Sequence, residues 1–309
     1  MTGVGPGRPG VALADLTTLG LGGPARMLVV ATTERELVDV VAAADTEGEP
    51  VLVVGGGSNL VVGDGGFAGT VVQVATRGER VRTARPGWVE VTVAAGVRWD
   101  EFVARSVAEG WSGLEVLSGI PGLVGATPVQ NVGAYGREVE QAIIAIRAYD
   151  RVTAAVTVLA RHQCGFGYRT SRLRAHHAPT GRYVVLDVMF ELRRQRPSAG
   201  IAYAELARRL EVPLGTCVPA EQVRAAVLEL RRAKGMVLDP ADPDTRSVGS
   251  FFTNPVLDPV PAARLPAPAP RWPMPDGRVK TSAAWLIEQV GIHPGHGPGP
   301  VRVSTIYTT

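Results

Sequence analysis

Lysine is almost missing from this chain of 309 residues: of 32 basic residues only Lys234 and Lys280 are lysines. The arginines that make up the rest are dispersed, with no basic run interleaved with aromatics, and the net charge is only +3. That excludes the electrostatic stripe by which proteins track nucleic acid. Cysteine is equally scarce. Cys164 and Cys217 are too few for a disulfide framework, and with five histidines but no HExxH or CxxC spacing they make no metal site. No run of about 18 apolar residues occurs, and the opening MTGVGPGRPG lacks the basic-then-apolar order of a secretory signal. The expectation is a cytoplasmic protein with no membrane or nucleic-acid partner and a loose tail over residues 1–14.

What is present is glycine, proline and β-branched residues in alternation with amphipathic segments. With 45% hydrophobic and 20% charged residues, the chain can bury a large core divided among two or three domains. The segment ERELVDVVAAADTEG has helical spacing, and PVLVVGGGSNLVV reads as a buried strand, a glycine turn and more β-branched residues. From GWVEVTVAAGVRWDEFVARSVAEG the pattern becomes an alternating strand and then a short helix. The charged stretch RRQRPSAG, residues 193–200, reads as a linker. PAEQVRAAVLELRRAKGM after it reads as a helix, and the proline-heavy VPAARLPAPAPRWP as a surface loop. The fold class expected is α+β, with a first lobe over residues 15–77, a second over 78–195 and a C-terminal domain over 196–309.

Two loops carry chemistry. GGGSNL follows a strand, but no Gly-Lys-Ser/Thr is present, so a Walker A loop is excluded. The residues after it, LVVGDGGFAGTVVQV, are too rich in glycine and β-branched types to open the helix that a Rossmann loop requires. What remains is a nest of backbone N–H groups able to approach a pyrophosphate, or an ordinary tight turn; this loop alone favours neither. The second loop, SGIPGLVGATPVQNVGAYG, sets five glycines and two prolines beside the amides of Gln130 and Asn131. That mixture suits a flat dinucleotide, with glycines for close approach and amides for a polar heterocycle, the alternative being a buried turn region that packs one lobe on another.

With VVGGGSNLVV, GIPGLVGATPVQNVGAYG, GFGYRTS, KGMVLDPADPDT and GSFFTNP in this order, the chain resembles the UDP-N-acetylenolpyruvoylglucosamine reductases of peptidoglycan synthesis. The resemblance implies a two-lobed FAD-binding fold of the vanillyl-alcohol-oxidase (PCMH) type with a C-terminal α+β substrate domain. It implies FAD held without a covalent bond, NADPH as reductant and a UDP-sugar as substrate. Gly55, Gly56, Gly57, Ser58 and Asn59 would lie near the pyrophosphate, and Gly119, Pro121, Gly122, Gly125 and Ala126 would line the cofactor from the other lobe. By the same likeness Arg169 is the catalytic arginine that holds the substrate carboxylate, and Ser250 the proton donor. Tyr135, Tyr168, Asn254 and Lys280 fall on the substrate side, and the rings of Phe251 and Phe252 are expected to keep water from Ser250. The family's pattern continues past VRVSTIYTT to a segment with a catalytic glutamate. The expectation is therefore a C-terminally short member, with an impaired or silent flavin-binding paralogue as the alternative.

Overall fold

The computed structural model describes residues 6–174, 180–194, 197–299 and 302–305. The chain forms two compact units, Met1–Arg231 and Arg232–Thr309.

The first unit opens with a four-stranded sheet. Strand β1 (Arg8–Pro9) pairs antiparallel with β2 (Ala25–Ala31); helix α1 (Glu34–Glu47) leads to β3 (Val51–Val54), and β4 (Phe67–Val74) lies parallel between β2 and β3. Because side chains alternate across a strand, the sheet feeds two cores. Val29, Ala31, Val51, Val72 and Val74 face α1 and join the main core, whereas Leu28, Leu52, Val54 and Val71 form a smaller cluster with Leu13 and Ala25. A capping box starts α1: the Glu36 N–H donates to Thr33 Oγ1 (3.1 Å), and the Thr33 N–H donates to Glu36 Oε2 (3.1 Å). Hydrogen bonds from Thr32 and Thr33 hold the Glu36 carboxyl below its ordinary pKa. Gly48, with φ of 68°, ends the helix in the left-handed conformation that glycine adopts at no steric cost.

The second sheet is antiparallel throughout. Its strands are β5 (Glu79–Arg85), β6 (Trp88–Ala94), β9 (Ile143–Asp150), β10 (Ala155–Ala160) and β11 (Tyr183–Arg193), in the order β10-β9-β11-β6-β5. The hairpin β7 (Gly133–Ala134) and β8 (Arg137–Glu138) lies between β6 and β9 in sequence. Val89, Val91 and Val93 of β6 are fully buried, the period of two expected of a sheet with one covered face. Helix α2 (Trp99–Ala108) covers it, with Phe102 against Phe190 at 5.1 Å between ring centroids and against Trp99 at 6.1 Å. Two ion pairs tie the second sheet to α1. Arg147 on β9 reaches Glu34 (2.7 Å) and Arg151 reaches Asp45 (2.6 Å), at opposite ends of α1.

The units divide later in the chain than the linker read at residues 193–200. Helices α3 (Ala204–Arg209) and α4 (Ala220–Arg232) place Leu206, Ala207, Val223, Ala226 and Val227 in the main core, with Ile201 and Val218. The apolar face of α4 therefore needs the first unit's core, which the charge and proline content of residues 193–200 conceals.

The second unit is built on a small sheet of β12 (Val256–Leu257), β13 (Trp272–Pro273) and β14 (Val279–Lys280), in the order β12-β14-β13. The stretch expected to be only a surface loop contains a one-turn helix, α5 (Pro259–Ala263). Its proline occupies a first-turn position, where the fixed φ favours a helix start. The guanidinium of Arg271 then ties the prolines down, donating to the carbonyls of Leu265, Pro266, Ala267 and Ala269. Helix α6 (Ala283–Gln289) is capped by Ser282, and Asp244 accepts from Ser304 and Thr305, which draws its pKa down.

Both cysteines are free. Cys164 is fully buried, and burial pushes its thiol up to about 11; Cys217 is exposed. Only the thiolate reacts, so a maleimide at pH 8 is expected to label one thiol per native chain and two in denaturant, with Cys217→Ser abolishing native labelling. Two labels on the native protein would contradict the burial of Cys164.

Candidate active site

The two glycine loops meet within the first unit. A Cβ added at Gly56 would stand 2.9 Å from Gly122 Cα, and one at Gly122 would stand 3.2 Å from Ser58 Oγ. Gly57 has φ of 62°, and its Cβ would lie 1.8 Å from the Leu16 carbonyl oxygen, so no other residue fits there. The second loop is fixed to the segment that enters α2: the Trp99 N–H donates to Gly122 O (3.0 Å), and Val124 and Gly125 N–H groups donate to Val97 O and Ala95 O (both 2.9 Å). Gly57, Gly119 and Gly125 are buried, and the positive φ of Gly57 and Gly119 shapes the backbone there. Gly56, Asn59, Pro121 and Ala126 are exposed and accessible to a ligand; Gly55, Ser58 and Gly122 are half-buried. The result is a bare-backbone cradle that a Cβ would fill, which suits a flat, phosphate-bearing cofactor such as FAD.

Further along the same stretch lies a strained cluster. Asn131, Tyr135 and Arg169 all have positive φ, of 47°, 49° and 54°, a conformation that non-glycine residues hold only where their surroundings enforce it. The Arg169 guanidinium donates to the carbonyls of Gly133 (2.7 Å) and Asn131 (3.5 Å) and lies 5.7 Å from the Tyr168 ring. Tyr135 meets Tyr203 edge-on at 5.5 Å.

Asn131 corrects one expectation. It is 1% exposed, its amide donates to Glu138 and Gly167, and it accepts from the Glu140 N–H. Both donor bonds of that amide and its oxygen are engaged by the protein's own groups, so Asn131 builds the loop. Sequence reading also missed Tyr203, whose contact with Tyr135 spans a separation that no local pattern signals.

Ser250, Asn254 and Lys280 belong to the second unit. Ser250 is exposed and follows Gly249 at φ 69°. Phe251 and Phe252 pack edge-to-face at 5.1 Å but are 67% and 58% exposed, so within their own unit they do not form the dry enclosure expected around the serine. The Asn254 side-chain oxygen accepts from the Ala283 N–H (3.0 Å) at the start of α6. Lys280 lies on β14 with its ammonium 5.8 Å from the Trp272 ring centroid. Among the described residues no group of histidine, cysteine and acidic side chains could hold a metal ion, and no helix is long and apolar enough to cross a membrane.

Residues 25–161 match the model of an FAD binding domain, and residues 240–308 that of the UDP-N-acetylenolpyruvoylglucosamine reductase C-terminal domain. The UDP-N-acetylenolpyruvoylglucosamine reductase of Thermobifida fusca is 55% identical over 309 residues, covering 96% of this chain and 85% of that protein. The chain belongs to the UDP-N-acetylenolpyruvoylglucosamine reductase family. The reductase of Salinispora arenicola is 53% identical, covering 96% of this chain and 82% of its own length. Among solved structures, the reductase of Thermus caldophilus superposes with a TM-score of 0.63 at 27% identity, over 98% of this chain and 87% of that one. The family is one of FAD-dependent oxidoreductases of peptidoglycan precursor synthesis, and the α+β fold of an FAD-binding part and a C-terminal domain is the one expected from sequence.

The cradle makes a direct expectation. In Gly56→Val the added branch meets backbone that cannot yield, so FAD affinity should fall at least about tenfold while far-ultraviolet circular dichroism stays native. Gly65→Ala, where an added Cβ meets nothing within 4 Å, should bind as wild type does. Unchanged affinity in Gly56→Val, measured by fluorescence titration, would contradict the placement of the cofactor.

Proposed function

We propose that this protein uses NADPH and FAD to reduce UDP-N-acetylglucosamine enolpyruvate to UDP-N-acetylmuramate, in the cytoplasm, where NADPH is available. The observation that carries this reading is Arg169: a guanidinium fixed by backbone carbonyls on the same stretch of chain that forms the second glycine loop. Bound FAD, reduced by NADPH, would supply a hydride for the terminal carbon of the enolpyruvyl double bond. Backbone N–H groups of Gly56 to Asn59 would hold the pyrophosphate, and Pro121, Gly122 and Ala126 would bound the cofactor on the other side.

The chain's own part in the chemistry is charge and proton management. Hydride addition builds negative charge over the alpha carbon and the carboxylate conjugated with it. Arg169 retains N–H donors beyond those bound to Gly133 and Asn131, and a planar guanidinium holds a carboxylate through two parallel charge-assisted bonds. Its anchored position means little reorganisation as the charge develops. Ser250 then donates its hydroxyl proton to the alpha carbon from one face, setting a D-lactyl ether. Tyr135, Tyr168, Asn254 and Lys280 orient the UDP-sugar. Asn254 does so through the amide nitrogen, since its oxygen already caps α6.

The two half-reactions separate these roles. In Ser250→Ala, bleaching of the flavin by NADPH should persist, while reoxidation by the enolpyruvyl substrate slows by about 100-fold or more, the range for one positioned acid. Arg169→Lys should be nearly as impaired as Arg169→Ala in that second step, with flavin content retained. Wild-type reoxidation in either Ser250→Ala or Arg169→Lys, followed by stopped-flow absorbance, would overturn the assigned role.

A further inference from the structure

Helix α4 touches the second glycine loop through a pair of charged side chains that the chemistry above does not use. Asp100, in the first turn of α2, accepts the Gly119 N–H at 2.6 Å, and its two oxygens accept both terminal nitrogens of Arg224 at 2.6 and 2.8 Å. The loop is thereby held at both ends by one helical turn, because the next residue back, Trp99, donates its N–H to Gly122 O and its indole N–H to Leu117 O (2.9 Å). The Arg224 side chain is only 17% exposed. The same face of α4 continues at helical spacing with Leu228 and Arg231, whose side chains would stand 2.9 and 3.2 Å from a Cβ at Gly119. Burial acts against ionisation of Asp100, yet the bonds from Arg224 and Gly119 keep its pKa below the ordinary carboxylate value.

We propose that Asp100 and Arg224 are positioning residues for the flavin, a two-pronged brace that sets the Gly119–Gly122 backbone against Gly56 and so fixes the width of the cofactor cradle. The geometry argues against a bond that serves folding alone. A carboxylate with both oxygens on one guanidinium has a fixed orientation, and here that orientation points one oxygen at the amide that opens the loop. Gly119 itself has φ of 70°, so its peptide can rotate readily once the acceptor turns away. A loop allowed to rotate there would still sit on the folded sheet but would no longer present Pro121 and Gly122 at one distance from the first loop. Arg224 never touches the cofactor in this account; it acts through Asp100.

The proposal rests on the assignment of the glycine loops to FAD, and the experiment separates the two. Apoprotein is prepared from wild type, Arg224→Gln and Arg224→Lys, each is shown folded by circular dichroism, and FAD affinity and the visible circular dichroism of bound flavin are measured. The expected result is affinity weakened about tenfold in the Gln variant and about threefold in the Lys variant, which keeps the charge but not the fork. The visible dichroism should change shape as the flavin environment loosens, a signature that a merely structural loss would not produce in the folded fraction. If Arg224→Gln does not fold, the Lys variant carries the test alone. Wild-type affinity and dichroism in a folded Arg224 variant would overturn the brace while leaving the flavin assignment intact. Failure of wild-type apoprotein to bind FAD would remove the flavin assignment, and the brace with it.

Discussion

The closeness of Gly56 to Gly122 is the constraint on which the rest of the first unit depends. Two backbones approach so nearly that a single methyl carbon between them would lie 2.9 Å from the facing Cα. Such contact requires each loop to be held from behind. The first is held by the parallel strands β3 and β4 and by the left-handed Gly57, whose carbonyl accepts from Thr18. The second is held by the entry to α2. The ion pairs from Arg147 and Arg151 to the two ends of α1 tie the second sheet to that helix. These charges are partly buried, so they favour one relative placement of sheet and helix more than they add net stability.

The second consequence is strain placed beside the chemistry. Left-handed backbone at Asn131, Tyr135 and Arg169 costs on the order of 1–3 kcal/mol per residue. It is held there by the inward-directed Asn131 amide and by the Gly133 carbonyl on Arg169. A guanidinium held in this way has its orientation settled in advance, which is the condition that the role proposed for Arg169, stabilising a developing charge, requires.

Much of this was legible in the sequence, for local reasons. Val89, Val91 and Val93 announce a half-covered strand by alternation; the helical spacing of ERELVDVVAAADTEG announces α1; the failure of GGGSNL to open a helix removes the Rossmann alternative. Motif order brought out the family. What stayed hidden depends on contacts between distant segments. The place of α4 in the first unit is decided by Val223 and Val227 entering a core built over a hundred residues earlier. Asn131 reads as a ligand-binding amide until Glu138 and Gly167 are seen to occupy it. Asp100 and Arg224 are ordinary helix-surface charges until Gly119 is found against one of them.

The most direct measurement is the visible spectrum of the wild-type protein, followed anaerobically through one cycle. The account predicts a yellow protein from which acid releases intact FAD, bleached by NADPH and recoloured by UDP-N-acetylglucosamine enolpyruvate. A colourless protein that takes up no added FAD would contradict the central claim, as would a bleached flavin that this substrate leaves reduced.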